Sequence, residues 1–239
     1  MIQNESTINM TNSEVKISLG RFALIAGIAM IIMGTTPYSE FFVYNKLVIP
    51  GNEAETAKNI LAHESLFISG IFGYLINFIA DVVAAWAFYG LLKPVNGMLS
   101  LLTSWFRLVY TIISLAALLN LLTVLRLLDK AEYLTVFGTN QLNAQVMLSL
   151  HAFRDGWTFG YYFFGIHLIL LGYLIFRSTY IPKLIGILLM LDGLGWIIFT
   201  IKPVLFPNVN LDYIGITFFG ELVLLLWLLI KGSKIKVVI

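Results

Sequence analysis

The sequence predicts an all-α, polytopic integral membrane protein: a helix bundle with six transmembrane helices and both termini cytoplasmic. Three observations carry this expectation. Hydrophobic residues make up 59% of the 239 residues and charged residues only 12%, about half the charged fraction of a soluble globule. The apolar residues fall into long blocks that match the roughly 20 residues a helix needs to cross a bilayer core. Lys and Arg gather in alternate links, as the positive-inside rule requires.

Composition also removes function classes. The net charge of +2 is small and dispersed, and no basic cluster with interleaved aromatics stands on a polar segment, so nucleic acid is not an expected partner. The chain has no cysteine, which excludes disulfides, thiolate nucleophiles and cysteine metal sites. The lipid bilayer is the first partner implied; a small molecule or ion is the second.

Taken in order, residues 1–18 are a polar tail, and the transmembrane domain runs over 19–230. Helix one is expected over 22–38, preceded by Lys16 and Arg21. Gly34-Thr-Thr-Pro-Tyr-Ser39 lacks a small-x-small cleavage site, so this run reads as a retained helix, not a signal peptide. Gly20, Ala23, Gly27 and Gly34 share one face and would let a neighbouring helix approach closely. Ser39 to Glu64 reads as a long loop with a Pro50-Gly51-Asn52 turn. Helix two covers 66–92, with Gly70, Gly73, Asn77, Ala80 and Ala84 on one side and Asp81 beside them. Lys93 to Gly97 is a tight turn, and helix three, 98–128, is long enough to tilt or protrude.

Asp129 to Asn143 is polar, with an amphipathic helical pattern over Leu142 to Leu150. Helix four, 157–176, opens with Trp157, Tyr161 and Tyr162 as interfacial anchors. Helix five, 184–206, lies between Pro182 and Pro207. Helix six, 211–230, leads to a basic tail, 231–239, with Lys231, Lys234 and Lys236. Lys16, Arg21, Lys93, Arg177, Lys183 and the tail lysines fall on one side. Lys46, Lys58, Arg126, Lys130 and Lys202 fall on the other, diluted by most of the loop carboxylates. The first side is therefore the cytoplasmic one, and a prokaryotic cytoplasmic membrane is the expected location.

This topology sets the depth of each ionisable residue. At a rise of about 1.5 Å per residue, Asp81, Arg107, His167, Asp192 and Glu221 all fall roughly 12–17 Å from the cytoplasmic face. Each costs a few kcal/mol at that depth unless it faces a partner or water. They are therefore expected to point inward, as ligand- or proton-binding candidates in one midplane site. Asp81 and Arg107, on adjacent helices, are equally readable as a structural ion pair. Asp192 and Glu221 add surplus negative charge that a proton, a cation or a cationic ligand would balance. Tyr213, Thr217 and Glu221 form one stripe on helix six. Ser104, Arg107, Thr111 and Ser114 form another on helix three, where Ser and Thr read best as packing glue between helices.

A second set lies at the outer boundary. His151 and Asp155 are four apart, and His63 and Glu64 emerge at similar height, so these four are a weak candidate for a metal site. The competing reading has Asp155 capping a helix or Arg154 pairing with the loop carboxylates. His167 alone does not make a haem site, and no cofactor is expected. GxSxG, P-loop, GxGxxG and acidic metal-diphosphate motifs are absent, so the reading leans away from an enzyme.

The segments His151-Ala-Phe-Arg-Asp-Gly-Trp157, Phe164-Gly-Ile-His-Leu168, Leu171-Gly-Tyr-Leu-Ile175 and Arg177-Ser-Thr-Tyr-Ile-Pro182 resemble a known family. This is the bacterial and archaeal family catalogued as domain of unknown function 4386. The likeness continues through Leu184 to Leu189 and Gly193-Leu-Gly195; before Ala144 it is carried chiefly by Asp81 and Trp105-Phe-Arg107. His151, Asp155, Gly156, His167, Arg177, Ser178 and Pro182 match its polar landmarks, whereas Arg154 and Asp192 depart from its pattern. The resemblance implies a multi-helix prokaryotic membrane protein and offers no mechanism. Three readings follow: a small transporter or ligand-binding protein using the midplane residues, a membrane enzyme with an outward metal site, or a structural or regulatory membrane protein.

Overall fold

A computed structural model of the protein describes residues 18–129, 135–205, 208–210 and 219–235. Seven α-helices carry the fold among them: α1 (Leu19–Ile32), α2 (Glu53–Ala62), α3 (Glu64–Leu92), α4 (Gly97–Leu128), α5 (Thr139–Arg177), α6 (Lys183–Leu205) and α7 (Phe219–Ile230). Five stretches are long and apolar enough to cross a membrane: Leu19–Leu47, α3, α4, α5 and α6. α7 is a shorter apolar helix. The protein is a multi-span helical membrane protein. Tyr213, Thr217, Pro207, Lys130, Lys236 and the tail before Ser18 lie outside the described residues.

The helices form a closed circuit of neighbours. Each of α3, α4, α5 and α6 packs on the next, α1 packs on α3, and α7 joins α6 back to α1. Large apolar side chains such as Ile28, Phe72, Ile79, Ile112, Leu119 and Leu226 remain exposed around the outside, as lipid-facing positions should. Small residues sit at the seams. Gly27 of α1 lies against Leu228 and Leu229 of α7, while Gly34 is exposed and takes no part in that face.

The closest seam joins α5 and α6, antiparallel around the turn from Ser178 to Pro182. Gly165 and Gly172 of α5 meet Gly193 and Gly186 of α6, and each pair is seven residues apart along its helix. A Cβ on Gly172 would lie 2.5 Å from the Gly186 carbonyl oxygen and 2.9 Å from the Met190 amide nitrogen. The two backbones touch because no side chain stands between them. The turn itself is held by Ser178, whose Oγ donates to the Ile175 carbonyl at 2.8 Å and accepts from the Ile181 amide at 3.3 Å.

The structure departs from the sequence expectation in the first half of the chain. Helix one does not stop near Tyr38. Pro37 has no N–H to offer the Met33 carbonyl, and the chain continues in a wider π register over Tyr38–Tyr44 before one last turn at Asn45–Leu47. The Asn45 amide bonds to the Glu40 carbonyl, five residues back. This register turns Ser39, Val43 and Tyr44 inward. Val43 seats on Gly70 of α3, and Thr35 Oγ1 donates to the Gly73 carbonyl at 3.0 Å. The expected loop also contains α2, whose start is capped by Asn52 accepting from the Glu55 amide at 3.0 Å. Gly51 makes the turn before it with a φ of 73°.

α5 begins at Thr139, far ahead of the expected Trp157, and reaches 39 residues. The amphipathic pattern over Leu142 to Leu150 is part of this helix: Val146, Met147, Leu150 and Phe153 are buried, and α2 packs on α5. α3, α4 and α6 lie near the expected ranges, and of the expected 211–230 helix the described part is α7, with 211–218 outside the described residues. Asn96 caps α4 by accepting from the Leu99 amide at 3.0 Å, and α6 starts directly after Pro182.

The glycine seam yields a direct test. Gly172→Val should force α5 and α6 apart and cost about 1–3 kcal/mol, the usual range for overpacking. Gly97→Ala, where the nearest atom to an added Cβ is Lys93 Cγ at 3.8 Å, should leave the melting temperature unchanged or higher. Thermal unfolding of the two purified variants beside wild type checks both expectations.

Candidate functional site

The buried polar residues of α3 and α4 build the centre. On α4, Ser100, Ser104, Arg107, Thr111 and Ser114 are all buried along one face. Ser100 and Ser104 donate across to the α3 carbonyls of Tyr89 and Ala85 at 3.0 and 2.9 Å. Thr111 and Ser114 donate back to their own helix, to Arg107 and Tyr110. These hydroxyls act as glue and satisfy themselves, so Arg107 is left as the one cation of the stripe.

Arg107 is 2% exposed and forms an ion pair with Asp81 Oδ1 at 2.5 Å through Nη2. Nη2 also lies 3.2 Å from the Met33 sulfur at the end of α1. Nη1 stands 3.0 Å from His167 Nε2 on α5. His167 Nδ1 is 2.9 Å from the Thr103 carbonyl, which can only accept. The Nδ1 position therefore carries the proton of the ring, and Nε2 accepts from the guanidinium. The rings of Phe88 and Phe164 lie 5.7 and 5.3 Å from the guanidinium carbon. The Asn77 amide donates to Asp81 Oδ2 at 3.4 Å. Among the described residues only Arg107 Nε lacks a partner in this set. The matched depth read from the sequence thus brings three of the five midplane candidates into direct contact.

The other two candidates form a neighbouring set between α6 and α7. Asp192 is fully buried, and its Oδ2 accepts from the Glu221 backbone amide at 3.2 Å. Glu221 is half-buried and within electrostatic reach of Arg107 and Asp81. The Trp196 indole interacts with both carboxyl groups. Even so, Asp192 Oδ1 has no hydrogen-bond partner among the described residues. Two acidic side chains here have no ion-pair partner of their own among the described residues. Such a pair in a low-dielectric site needs a counter-charge.

At the outer boundary a different arrangement replaces the expected metal cluster. His63, Glu64, His151 and Asp155 are all exposed, and among the described residues no group of three or more His, Asp or Glu side chains is placed to hold a metal. His63 occupies the joint between α2 and α3. Arg154 instead pairs with Glu40 of the π-helical turn at 2.5 Å, the loop-carboxylate pairing expected from the sequence. Glu40 Oε2 also accepts from the Tyr74 hydroxyl at 2.7 Å. The Arg154 guanidinium lies 4.7 Å from the centre of the Tyr44 ring. The sequence left open which loop carboxylate pairs with Arg154, and Tyr74 escaped reading because a lone Tyr in a span carries no signal.

Aromatic side chains fill the space between the outer pair and the central triad. Tyr74, Phe153 and Trp157 pack with centroids 5.1 to 5.6 Å apart. Trp157 Nε1 donates to the Tyr110 hydroxyl at 3.1 Å, and Tyr110 packs on Phe164 at 4.9 Å. Grooves at the two ends of the bundle and on its apolar outer face are lined by other residues, such as Glu64 and Asp129 at one end and Lys231 and Lys234 at the other.

Residues 25–232 match the family described as Domain of unknown function (DUF4386). An uncharacterized protein of Archaeoglobus fulgidus is 38% identical to this chain over 173 residues, spanning 72% of this chain and 89% of the relative. No solved structure matches.

The triad predicts an asymmetry between single and double substitutions. Arg107→Met leaves Asp81 as an uncompensated buried charge and should cost about 3–5 kcal/mol. Asp81→Leu combined with Arg107→Met removes both charges and should recover a large part of that loss. Chemical or thermal unfolding of the two variants in detergent tests this; a double variant no more stable than the single one contradicts it.

Proposed function

We propose that this chain, which belongs to the DUF4386 family, is a ligand-binding or ion-linked membrane protein, in the manner of a small transporter. Its responsive site is the Asp192–Glu221 pair. The observation that carries this is Asp192 Oδ1: fully buried, beside a second acidic side chain, and without a hydrogen-bond partner among the described residues. A buried oxygen in that position is a place for a proton, a cation or the cationic group of a small molecule. Arg107, the nearest fixed cation to act on Glu221, is already engaged by Asp81, so the counter-charge has to come from outside the chain.

A structural role is favoured for the triad itself. Asp81, Arg107 and His167 are paired with one another and with Thr103 and Asn77. They fasten α3, α4 and α5, and set the wall against which the acidic pair works. No observation favours the enzyme reading with a metal on His63, Glu64, His151 and Asp155.

The same proposal includes the topology: six spans within a single domain over 19–230, a tail over 1–18, a basic tail over 231–239 and both termini inside a prokaryotic cytoplasmic membrane. Its support is the charge at the two ends of the bundle. Arg21, Lys93, Arg177, Lys183, Lys231 and Lys234 share one end with no Asp or Glu among the described residues there. At the other, Lys46, Lys58, Arg126, Arg154 and Lys202 stand among Glu40, Glu53, Glu55, Glu64, Asp129 and Asp155, so the excess of Lys and Arg at the first end is small.

The test is thermal stability of purified wild type and of Glu221→Gln, across pH and against alkali and alkaline-earth cations and small cationic metabolites. A ligand present at about ten times its Kd should stabilise wild type by about 1.4 kcal/mol, and Glu221→Gln should abolish that shift. If nothing shifts wild type and Glu221→Gln is neutral or stabilising, the pair is a structural one and the proposal fails.

A further inference from the structure

The carboxylate-free end of the bundle holds a groove that neither the triad nor the acidic pair uses. It encloses about 590 Å³ between the α5–α6 turn and the end of α7, within the usual size of a small-molecule site. Thr179, Tyr180 and Pro182 line one wall, and Trp227, Lys231 and Lys234 line the other. Both walls are fixed by the fold. The Tyr180 hydroxyl donates to the Leu91 carbonyl of α3 at 2.6 Å, which ties the turn down. Gly232 packs on Ala23 of α1, which holds the chain after α7 close to the bundle and leaves Lys231 and Lys234 at the rim.

Charge and position identify what fits. Lys231 and Lys234 are exposed, and no carboxylate pairs with either among the described residues. Lys183 and Arg177 extend the positive field across the turn. Burial pushes the Tyr180 phenol up to about 12, so this wall adds no negative charge at neutral pH. Trp227 lies in the last turn of a lipid-facing helix, the level at which indoles sit against headgroups. Beside it, Leu184, Leu226 and Ile230 are exposed apolar residues that lead away along the outer face of α6 and α7. A basic, aromatic-lined groove that continues into an apolar surface matches a molecule with an anionic head and apolar chains.

We propose that this groove binds the phosphodiester headgroup of an anionic phospholipid, with Lys231 and Lys234 on the phosphate and the acyl chains along α6 and α7. The site is independent of the acidic pair between α6 and α7 and of any transport activity.

The experiment is native mass spectrometry of the full-length protein released from detergent micelles containing equal amounts of phosphatidylglycerol and phosphatidylcholine. The double variant Lys231→Gln, Lys234→Gln is compared with wild type and with Lys231→Arg, Lys234→Arg. Wild type and the arginine variant should retain phosphatidylglycerol in preference, and the glutamine variant should lose that preference about tenfold while melting normally in phosphatidylcholine alone. Retention of the preference by the glutamine variant overturns the proposal, as does equal retention of the two lipids by wild type. A separate arm adds inorganic phosphate without lipid; stabilisation of wild type equal to that by phosphatidylglycerol overturns the lipid assignment in favour of a soluble phosphate.

Discussion

A guanidinium held near the centre of a bilayer dictates what surrounds it. Arg107 carries a charge that cannot be shed and five donors that must be directed somewhere. Its neighbours come from three other parts of the chain: Asp81 and Phe88 on α3, His167 and Phe164 on α5, and Met33 at the end of α1. Helix pairing in lipid has no hydrophobic driving force of its own. A buried charge with partners on separate helices supplies a substitute, because any arrangement that parts them leaves an ion in hydrocarbon. The hydroxyls of Ser100 and Ser104 and the glycine seam of α5 and α6 then refine a packing whose register Arg107 has already set.

Much of this was legible in the sequence because the bilayer imposes a ruler. Depth counted along each span put Asp81, Arg107 and His167 at one level, and the structure brings them into contact. The small residues at Gly70 and Gly73 marked a real seam, although their partner is the π-helical turn beyond Pro37, not a second regular helix. What escaped reading shares one cause: it lies where the hydropathy signal stops. The unbroken run of α5 from Thr139, of which only the amphipathic stretch over Leu142 to Leu150 was read, α2 within the supposed loop and the continuation of the first helix to Leu47 sit at or beyond the membrane boundary. There, burial is won against other protein segments, and composition resembles that of a loop. The pairing of Glu40 with Arg154 crosses more than a hundred residues and needs the π register to aim Glu40 inward.

The outer pair and the central triad are joined by packed aromatic residues. Tyr74 touches Glu40 at one end, and Phe164 stacks near Arg107 and His167 at the other, with Trp157 and Tyr110 hydrogen-bonded between them. Rings of this size, fixed by polar tips, resist displacement. These contacts bind α3, α4 and α5 to one another, and the remaining buried polar set lies on the side of α6 and α7. That side holds the acidic pair, the Pro203 kink site near the end of α6 and the shorter final helix.

Satisfaction of buried groups separates scaffold from site in this molecule. The triad has opposite charges in contact, a histidine whose two nitrogens are both used and carbonyls that accept what is offered. Such a set gains nothing from a further ligand and loses much if disturbed. Asp192 and Glu221 have like chemistry, one shared indole and an oxygen with no partner among the described residues. Among the described residues, nothing donates to that oxygen. A protein that needed only a rigid bundle would gain stability by replacing Asp192 with an apolar residue of similar volume. A carboxyl group kept there, beside a second one, carries that cost within the structure, and the counter-charge proposed for the pair is the physical means of offsetting it.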